Sequence, residues 1–147
     1  WSLIYYLTAY ALASIVTFIV VYFVEEQAGS DHLDSFAGLS KSNPVLAVVM
    51  SIALISLAGV PLTAGFMSKL YVLRNINSIG FTALMVIALV LAAVSFYYYF
   101  KIINAMFSPS GDRRWSVHFS YSAVLVFITI AIIFLGVMPG VLHGFLG

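Results

Sequence analysis

One lysine lies inside a long apolar stretch, where it could carry a proton. Lys69 is the only charged side chain between Pro44 and Leu73. Apolar surroundings penalise a charged amine and favour its neutral form, so such a lysine can accept and release protons. An ionisable residue at membrane depth is therefore a hypothesis about ion or proton movement. The alternative is a lysine near a helix end, with its stem in lipid and its amine at the headgroups.

A second lysine and a row of hydroxyl groups are weaker candidates. Lys101 follows Ser95 and the aromatic run Phe96–Phe100 at the end of an apolar segment. We interpret it as an interfacial lysine, with proton uptake or release as the alternative role. Near the start of the chain, hydroxyl side chains recur at offsets of three and four, which keeps them on one helical face. Such a row either packs against neighbouring helices, the favoured interpretation, or lines a chain of water. Its members are Ser2, Tyr6, Tyr10, Ser14 and Thr17.

Several kinds of site are excluded or disfavoured by the sequence. The chain has no cysteine, which excludes a disulfide, a thiolate metal site or an iron–sulfur cluster held by this chain. His32, His118 and His143 have no partners at ligand spacing, so no metal site is predicted. There is no nucleophile–base arrangement and no glycine-rich phosphate loop. A net charge of +1 gives no argument for nucleic acid binding.

The composition is that of a membrane protein. Of the 147 residues, 63% are hydrophobic and 7% are charged, whereas soluble domains carry about 25% charged residues. Since a transmembrane helix needs roughly 20 apolar residues, the sequence predicts an all-α polytopic fold with four membrane spans. Polar loops are predicted at 25–43 and 108–117. The predicted spans are Ser2–Val24, Pro44–Leu73, Phe81–Met106 and Phe119–Val137. The chain begins at Trp1 without the features of a signal peptide, and we expect it to be a fragment of a larger subunit.

The second predicted span is too long for one straight crossing. A helix of its 30 residues would be about 45 Å long, against a hydrocarbon core of about 30 Å. Pro61 cannot donate a backbone hydrogen bond, and Gly59 and Gly65 permit non-helical backbone. We therefore predict a discontinuous helix, broken near residues 57–65. The break would return Lys69 toward the middle of the membrane.

The distribution of basic residues predicts the orientation. The loops at 25–43 and 108–117 lie on one side in the four-span topology. That side carries Lys41, Lys101, Arg113 and Arg114, whereas the other side has only Arg74. The positive-inside rule then places both loops on the cytoplasmic or matrix face.

The residues around Lys69 form a pattern that resembles a known family. The run Leu57–Tyr71 reads L-A-G-V-P-L-T-A-G-F-M-S-K-L-Y and is similar to the proton-pumping, antiporter-like subunits of respiratory complex I. Three further segments carry the same resemblance: Ser40–Pro44, Tyr97–Lys101 and Gly136–Pro139. The resemblance covers nearly the whole chain and implies the C-terminal four helices of such a subunit. It also implies that Pro44–Leu73 is the broken helix of the second of two inverted repeats.

The resemblance implies a function and roles for two residues. Lys69 matches the embedded lysine of the family's distal half-channel, and Lys101 matches a position that is basic in relatives. The chain would be a subunit of NADH:quinone oxidoreductase, a translocase, with no redox site of its own. NADH, FMN, iron–sulfur clusters and quinone are expected in other subunits. Expected partners are other membrane-arm subunits, lipid, water and protons. The expected location is the bacterial inner (plasma) membrane or the mitochondrial inner membrane.

Two other functions remain open. One is a subunit of a multisubunit cation/proton antiporter, although the residues after Gly65 and the run Tyr97–Tyr99 argue against it. The other is a non-conducting membrane scaffold that only ties subunits together. A scaffold would let the amine of Lys69 reach the lipid headgroups, whereas a pump needs it buried and hydrated.

Overall fold

The computed structural model describes residues 2–78, 80–109, 116–141 and 144, excluding the side chains of 76–78. Over these residues the fold is all-α, as predicted. The basic pair Arg113 and Arg114 and the candidate His143 lie outside the described residues. Besides a 3-10 turn at Leu33–Phe36, the helices are α1 (Ser2–Ala28), α2 (Leu39–Ser42), α3 (Pro44–Ala58), α4 (Ala64–Ser78), α5 (Thr82–Met106) and α6 (Phe119–Val137).

Three of the described helices are long and apolar enough to cross a membrane: α1, α5 and α6. Where one span was predicted, the structure has the two helices α3 and α4, each of 15 residues. Each would be about 22 Å long, which is less than a hydrocarbon core. Two of the predicted spans end earlier than the helices of the structure: α1 continues past Val24 to Ala28, and α4 continues past Leu73 to Ser78. Gly29, with φ 74°, follows the true end of α1.

The segment between α1 and α3 is more ordered than the predicted polar loop. It contains the 3-10 turn and α2, and two of its apolar side chains, Phe36 and Leu39, are buried in the core. Those two residues hold the segment against the helices, which a purely polar loop would not do. The side chain of Asn43 accepts a hydrogen bond from the backbone N–H of Leu46 at 3.1 Å. Asn43 therefore caps the helix that starts at Pro44, and proline suits the first turn of a helix.

Helix α3 lies at the centre of the bundle and contacts all the other helices. Leu46, Met50 and Leu54 are among its fully buried side chains. Small residues of α1, Ala9 and Ala13, are also buried and allow close helix packing. In contrast, α5 has one buried residue among those described, Met106 at its end. The central position of α3 means that the end of this helix, at Ala58, lies inside the protein.

Hydrogen bonds join the two loops that were predicted to share one face. The side-chain amide of Gln27 donates to the carbonyl of Ser116 at 3.1 Å and accepts from its N–H at 3.2 Å. The amine of Lys41 donates to the carbonyl of Pro109 at 3.2 Å. Both loops therefore lie at the same end of the bundle, as predicted.

Candidate functional site

The backbone between α3 and α4 leaves the helical conformation at Gly59. Its φ and ψ are 84° and 43°, in the left-handed region, and its N–H donates to the carbonyls of Ile55 and Ser56 at 3.1 and 3.0 Å. The N–H of Val60 also donates to the Ile55 carbonyl, at 3.2 Å. Glycine favours this kind of helix ending, and a proline soon after it prevents the helix from continuing. The non-helical stretch 59–63 contains Pro61 and lies within the range 57–65 predicted from sequence.

Lys69 folds back from α4 onto the end of α3. Its amine donates hydrogen bonds to the carbonyls of Leu57 at 2.7 Å and Ala58 at 3.1 Å. The last carbonyls of a helix have no partner within the helix, and this end carries a partial negative charge. The side chain is half-buried. The charged amine is therefore stabilised by the end of a helix in the protein interior.

Gly59 also makes room for this lysine. A Cβ atom at position 59 would lie 3.0 Å from Cδ and 3.3 Å from Nζ of Lys69. Gly59 thus serves two purposes, because any side chain there would strain the backbone and crowd the amine.

Gly65 and Ser56 hold the start of α4 against the end of α3, and Ser68 adds a hydrogen bond within α4. The N–H of Gly65 donates to the hydroxyl of Ser56 at 3.1 Å, and the hydroxyl of Ser68 donates to the carbonyl of Gly65 at 2.8 Å. A Cβ on Gly65 would overlap the carbonyl oxygen of Ser56, at 1.7 Å. Both serines are buried. Gly65 was predicted from the sequence as part of the helix break. The two serines were not predicted as part of the site, because their only signal was their position in apolar segments beside the break.

The last helix, α6, supports the connection between α3 and α4 from the other side. A Cβ on Gly136 would lie 2.5 Å from the carbonyl oxygen of Leu62. Leu62 has φ 75°, which is unfavourable for a residue with a side chain. The hydroxyl of Thr63 donates to the Val60 carbonyl at 2.7 Å. The connection is therefore held by its own hydrogen bonds and by close contact with α6.

A cavity of about 390 Å³ borders Lys69. It lies between α1 and α5, with parts of α3 and α4 completing its wall. The residues that line it are Tyr6, Tyr10, Leu57, Lys69, Val72, Leu73, Ala88, Leu91, Ala92, Ser95 and Tyr99. A smaller space of about 10 Å³ adjoins Lys69, Ser56 and Ser68, which is close to the least volume that holds one water. The lysine thus touches carbonyls on one side and open space on the other.

The structure divides the predicted row of hydroxyl groups. Tyr6 and Tyr10 line the cavity beside Lys69. Ser2 accepts a hydrogen bond from Asn75 at 2.7 Å, and Thr17 donates to the carbonyl of Ala13 at 2.9 Å. Two of the five members therefore line the cavity, one bonds to another helix and one bonds within α1. Ser14 does not line the cavity.

The remaining candidates lie away from this site. Lys101 is exposed on α5 and does not line the cavity. His32 lies between α1 and the 3-10 turn, and His118 directly precedes α6. Within the described ranges, no group of three or more His, Asp or Glu residues could hold a metal ion.

Comparison with known proteins identifies the family of the sequence. Residues 1–95 match the family described as NADH:quinone oxidoreductase/Mrp antiporter, TM. NADH-quinone oxidoreductase subunit N of Cytophaga hutchinsonii is 39% identical over 143 residues, covering 96% of this chain and 31% of the relative. Subunit N of Flavobacterium psychrophilum is 36% identical over 141 residues, which cover 95% of this chain and 31% of the relative. Subunit N of Brevibacillus brevis is 34% identical over 147 residues, which cover 99% of this chain and 29% of the relative.

A solved structure has the same fold. It is respiratory complex I from Thermus thermophilus with bound aureothin, one chain of which matches with a TM-score of 0.76 and 27% identity. The match covers 92% of this chain and 33% of that chain. This chain therefore spans about a third of the length of the proteins it matches. The resemblance to the antiporter-like subunits of complex I is confirmed, and the relatives named above are all subunit N. The chain belongs to the NADH:quinone oxidoreductase/Mrp antiporter transmembrane family.

Proposed function

We propose that this chain is the C-terminal part of a proton-translocating subunit of NADH:quinone oxidoreductase, and that Lys69 carries the proton. One observation carries the proposal. The amine of Lys69 is bonded to two carbonyls at the end of α3 and also borders a cavity. A lysine with a polar anchor on one side and room for water on the other can hold a proton and exchange it. The subunit N relatives support the choice of complex.

In the membrane, α3 and α4 together form one discontinuous crossing beside α1, α5 and α6. Neither of the two is long enough to cross alone, whereas together they exceed the thickness of the hydrocarbon core. Non-helical backbone at membrane depth is tolerated where protein surrounds it, and here Gly136 of α6 packs against Leu62 and Thr63. The four crossings lie in the plasma membrane of a bacterium, since the relatives named above are bacterial. A mitochondrial inner membrane would be the equivalent location.

The arrangement suggests how Lys69 changes its proton affinity. While the amine contacts the carbonyls of Leu57 and Ala58, the negative end of α3 stabilises its charged form. A positive charge brought closer elsewhere in the subunit, or movement of the amine into the cavity, removes part of that stabilisation. The amine then releases one proton to water in the cavity and later takes up another. The energy for this charge movement comes from quinone reduction in other subunits, which also hold NADH, FMN and iron–sulfur clusters.

The partners of this chain are the other membrane-arm subunits, lipid, water and protons. The outer face of α5 carries exposed apolar side chains such as Val86, Val90 and Val94. Such a face suits lipid or neighbouring helices in the membrane.

The scaffold alternative is weakened by the position of the lysine. A scaffold would let the amine of Lys69 reach the headgroups, but here two carbonyls in the protein interior hold it. The antiporter alternative keeps the same proton step, and the family description includes Mrp antiporters. The subunit N identity of the relatives favours complex I.

The test is Lys69→Ala in the full-length subunit within the assembled complex. Proton translocation is measured in reconstituted vesicles and normalised to assembled enzyme. We expect normal assembly and loss of most of the pumping, because alanine cannot hold a proton. Lys101→Ala serves as the comparison and should have a smaller effect, since Lys101 is exposed and away from the cavity. Full pumping by assembled Lys69→Ala would overturn the proposal.

A further inference from the structure

The space between α1 and α5 has a shape suited to water. Both helices pack against α3 and α4, and a cavity of about 390 Å³ lies between them, with Lys69 in its wall. Water occupies about 30 Å³ per molecule in the liquid, so the cavity can hold a connected group of water molecules. On α5 the lining residues run from Ala88 to Tyr99, which corresponds to about 16 Å along the helix axis. The cavity therefore extends well beyond the lysine.

Besides Lys69, the polar side chains on the cavity wall are hydroxyl groups from the two facing helices. Tyr6 and Tyr10 come from α1, and Ser95 and Tyr99 come from α5. The hydroxyl of Ser95 donates to the carbonyl of Leu91 at 2.9 Å. Among the residues that the structure describes, none forms a hydrogen bond with the hydroxyl groups of Tyr10 and Tyr99. Tyr10 is 53% exposed and Tyr99 is half-buried. Both line the cavity, so water in it can hydrogen-bond to either hydroxyl group.

Tyr99 also marks where the polar cavity ends. It lines a second cavity of about 190 Å³, whose other lining residues are all apolar. Those residues are Leu54, Ile55, Ala58, Val60, Phe96, Phe100 and Ile103. Tyr99 therefore separates a region with Lys69 and hydroxyl groups from a region that offers a proton no acceptor. A water chain that starts at Lys69 is confined to the side of Tyr99 that also contains Tyr6 and Tyr10.

We propose that the hydroxyl groups of Tyr10 and Tyr99, on opposite walls of this cavity, relay protons between Lys69 and the water in it. This proposal rests on the proposed function of Lys69. In each step a hydrogen-bonded water that carries the excess proton passes it to the phenol oxygen, as the phenol's own hydroxyl proton passes to the next water. The neutral phenol is regenerated, and one proton enters for each that leaves. The tyrosines also order the water next to the amine, which shortens each transfer.

The test uses Tyr10→Phe and Tyr99→Phe in the full-length subunit of the assembled complex. Phenylalanine keeps the ring and removes only the hydroxyl. We expect assembly to be normal and proton translocation to fall on the order of tenfold, less than is typical of a lost general acid or base, because water replaces the hydroxyl in part. The matched control is Tyr97→Phe, on the same helix. Tyr97 is 67% exposed and does not line the cavity, so its loss should leave pumping unchanged.

A second readout separates a relay from a merely structural role. Turnover is measured in H₂O and in D₂O. The ratio of turnover in H₂O to turnover in D₂O should be higher in Tyr10→Phe and Tyr99→Phe than in the unmodified complex, because proton transfer becomes slower than other steps. A structural defect would lower turnover without raising the ratio. Unchanged pumping and an unchanged ratio in both variants, alongside loss of pumping in Lys69→Ala, would overturn the relay alone. Full pumping in Lys69→Ala would overturn the proposed function as well.

Discussion

Lys69 is the residue on which the proposed function depends. Its amine is held by two carbonyls at the end of α3, at 2.7 and 3.1 Å, instead of by a carboxylate. Because the stabilising charge is only the partial charge of a helix end, the amine is held less firmly than in an ion pair. This suits the proton exchange proposed for Lys69. No acidic residue lies three or four positions from Lys69 in the sequence.

A charge-preserving substitution tests whether this residue exchanges its proton. Lys69→Arg should leave the complex assembled but restore little pumping compared with Lys69→Ala. Arginine remains protonated, so it keeps the positive charge but cannot give up its proton. Lys101→Arg is the matched control and should pump normally, since an exposed position on α5 needs at most a positive charge. Proton translocation by the assembled complexes is the measurement, and normal pumping by Lys69→Arg would show that charge alone suffices.

At the scale of the helices, the connection between α3 and α4 depends on close backbone contacts. Gly59 ends α3, Gly65 brings α4 against Ser56, and Gly136 brings α6 against Leu62. Each contact involves a glycine, because a neighbouring segment or side chain of the same protein occupies the space that a Cβ atom would need. The position of Lys69 relative to the carbonyls is therefore set by the packing of three helices.

Gly59→Ala should both destabilise the subunit and displace the lysine amine. The left-handed backbone of Gly59 costs about 1–2 kcal/mol for a residue with a Cβ, and that Cβ would lie 3.0 Å from Cδ of Lys69. The control is Gly29→Ala, since Gly29 has a similar φ of 74° but nothing within 4 Å of its Cβ position. Thermal unfolding should shift in both variants, whereas pumping per assembled complex should fall only in Gly59→Ala. Equal pumping in the two variants would contradict the role given to Gly59.

Gly136→Ala should disturb the connection from the side of α6. Its Cβ would lie 2.5 Å from the carbonyl oxygen of Leu62, so the backbone must move. Such overpacking costs about 1–3 kcal/mol. Gly140→Ala is the matched control, because nothing lies within 4 Å of its Cβ position. We expect a lower melting temperature for the complex with Gly136→Ala only, measured by a thermal shift of purified enzyme. Equal melting temperatures for the two variants would show that α6 does not support the connection.

At the scale of the whole molecule, the two loops that contact each other define one end of the bundle. Asp31 and Ser116 are exposed residues at this end, and Phe81 is an exposed residue in the turn before α5, at the other end. Because this chain has no cysteine, the single variants Asp31→Cys, Ser116→Cys and Phe81→Cys introduce unique labelling sites in it. An impermeant maleimide should label the first two from the cytoplasmic side and the third from the opposite side of vesicles. Labelling of Asp31→Cys and Ser116→Cys from opposite sides would contradict the four-crossing arrangement.

The properties that the sequence determined by itself are those that depend on local chemistry. The apolar runs predict membrane helices, because burial depends on side-chain type. Gly59 and Pro61 predict a non-helical stretch, because their backbone properties do not depend on neighbours. Lys69 stands out because a charge is costly in an apolar segment. The pattern around these residues also identified the family.

The tertiary structure decided what those residues contact. The partners of the Lys69 amine are backbone carbonyls, which every residue has, so no sequence pattern identifies them. The contact of Gly136 with the connection joins residues more than 70 positions apart. Burial of Phe36 and Leu39 turned a predicted loop into part of the core. The helix packing likewise separated Tyr6 and Tyr10 from the rest of the hydroxyl row and set them opposite Tyr99. Contacts between distant segments depend on how whole helices fit together, and periodicity along one helix does not contain that information.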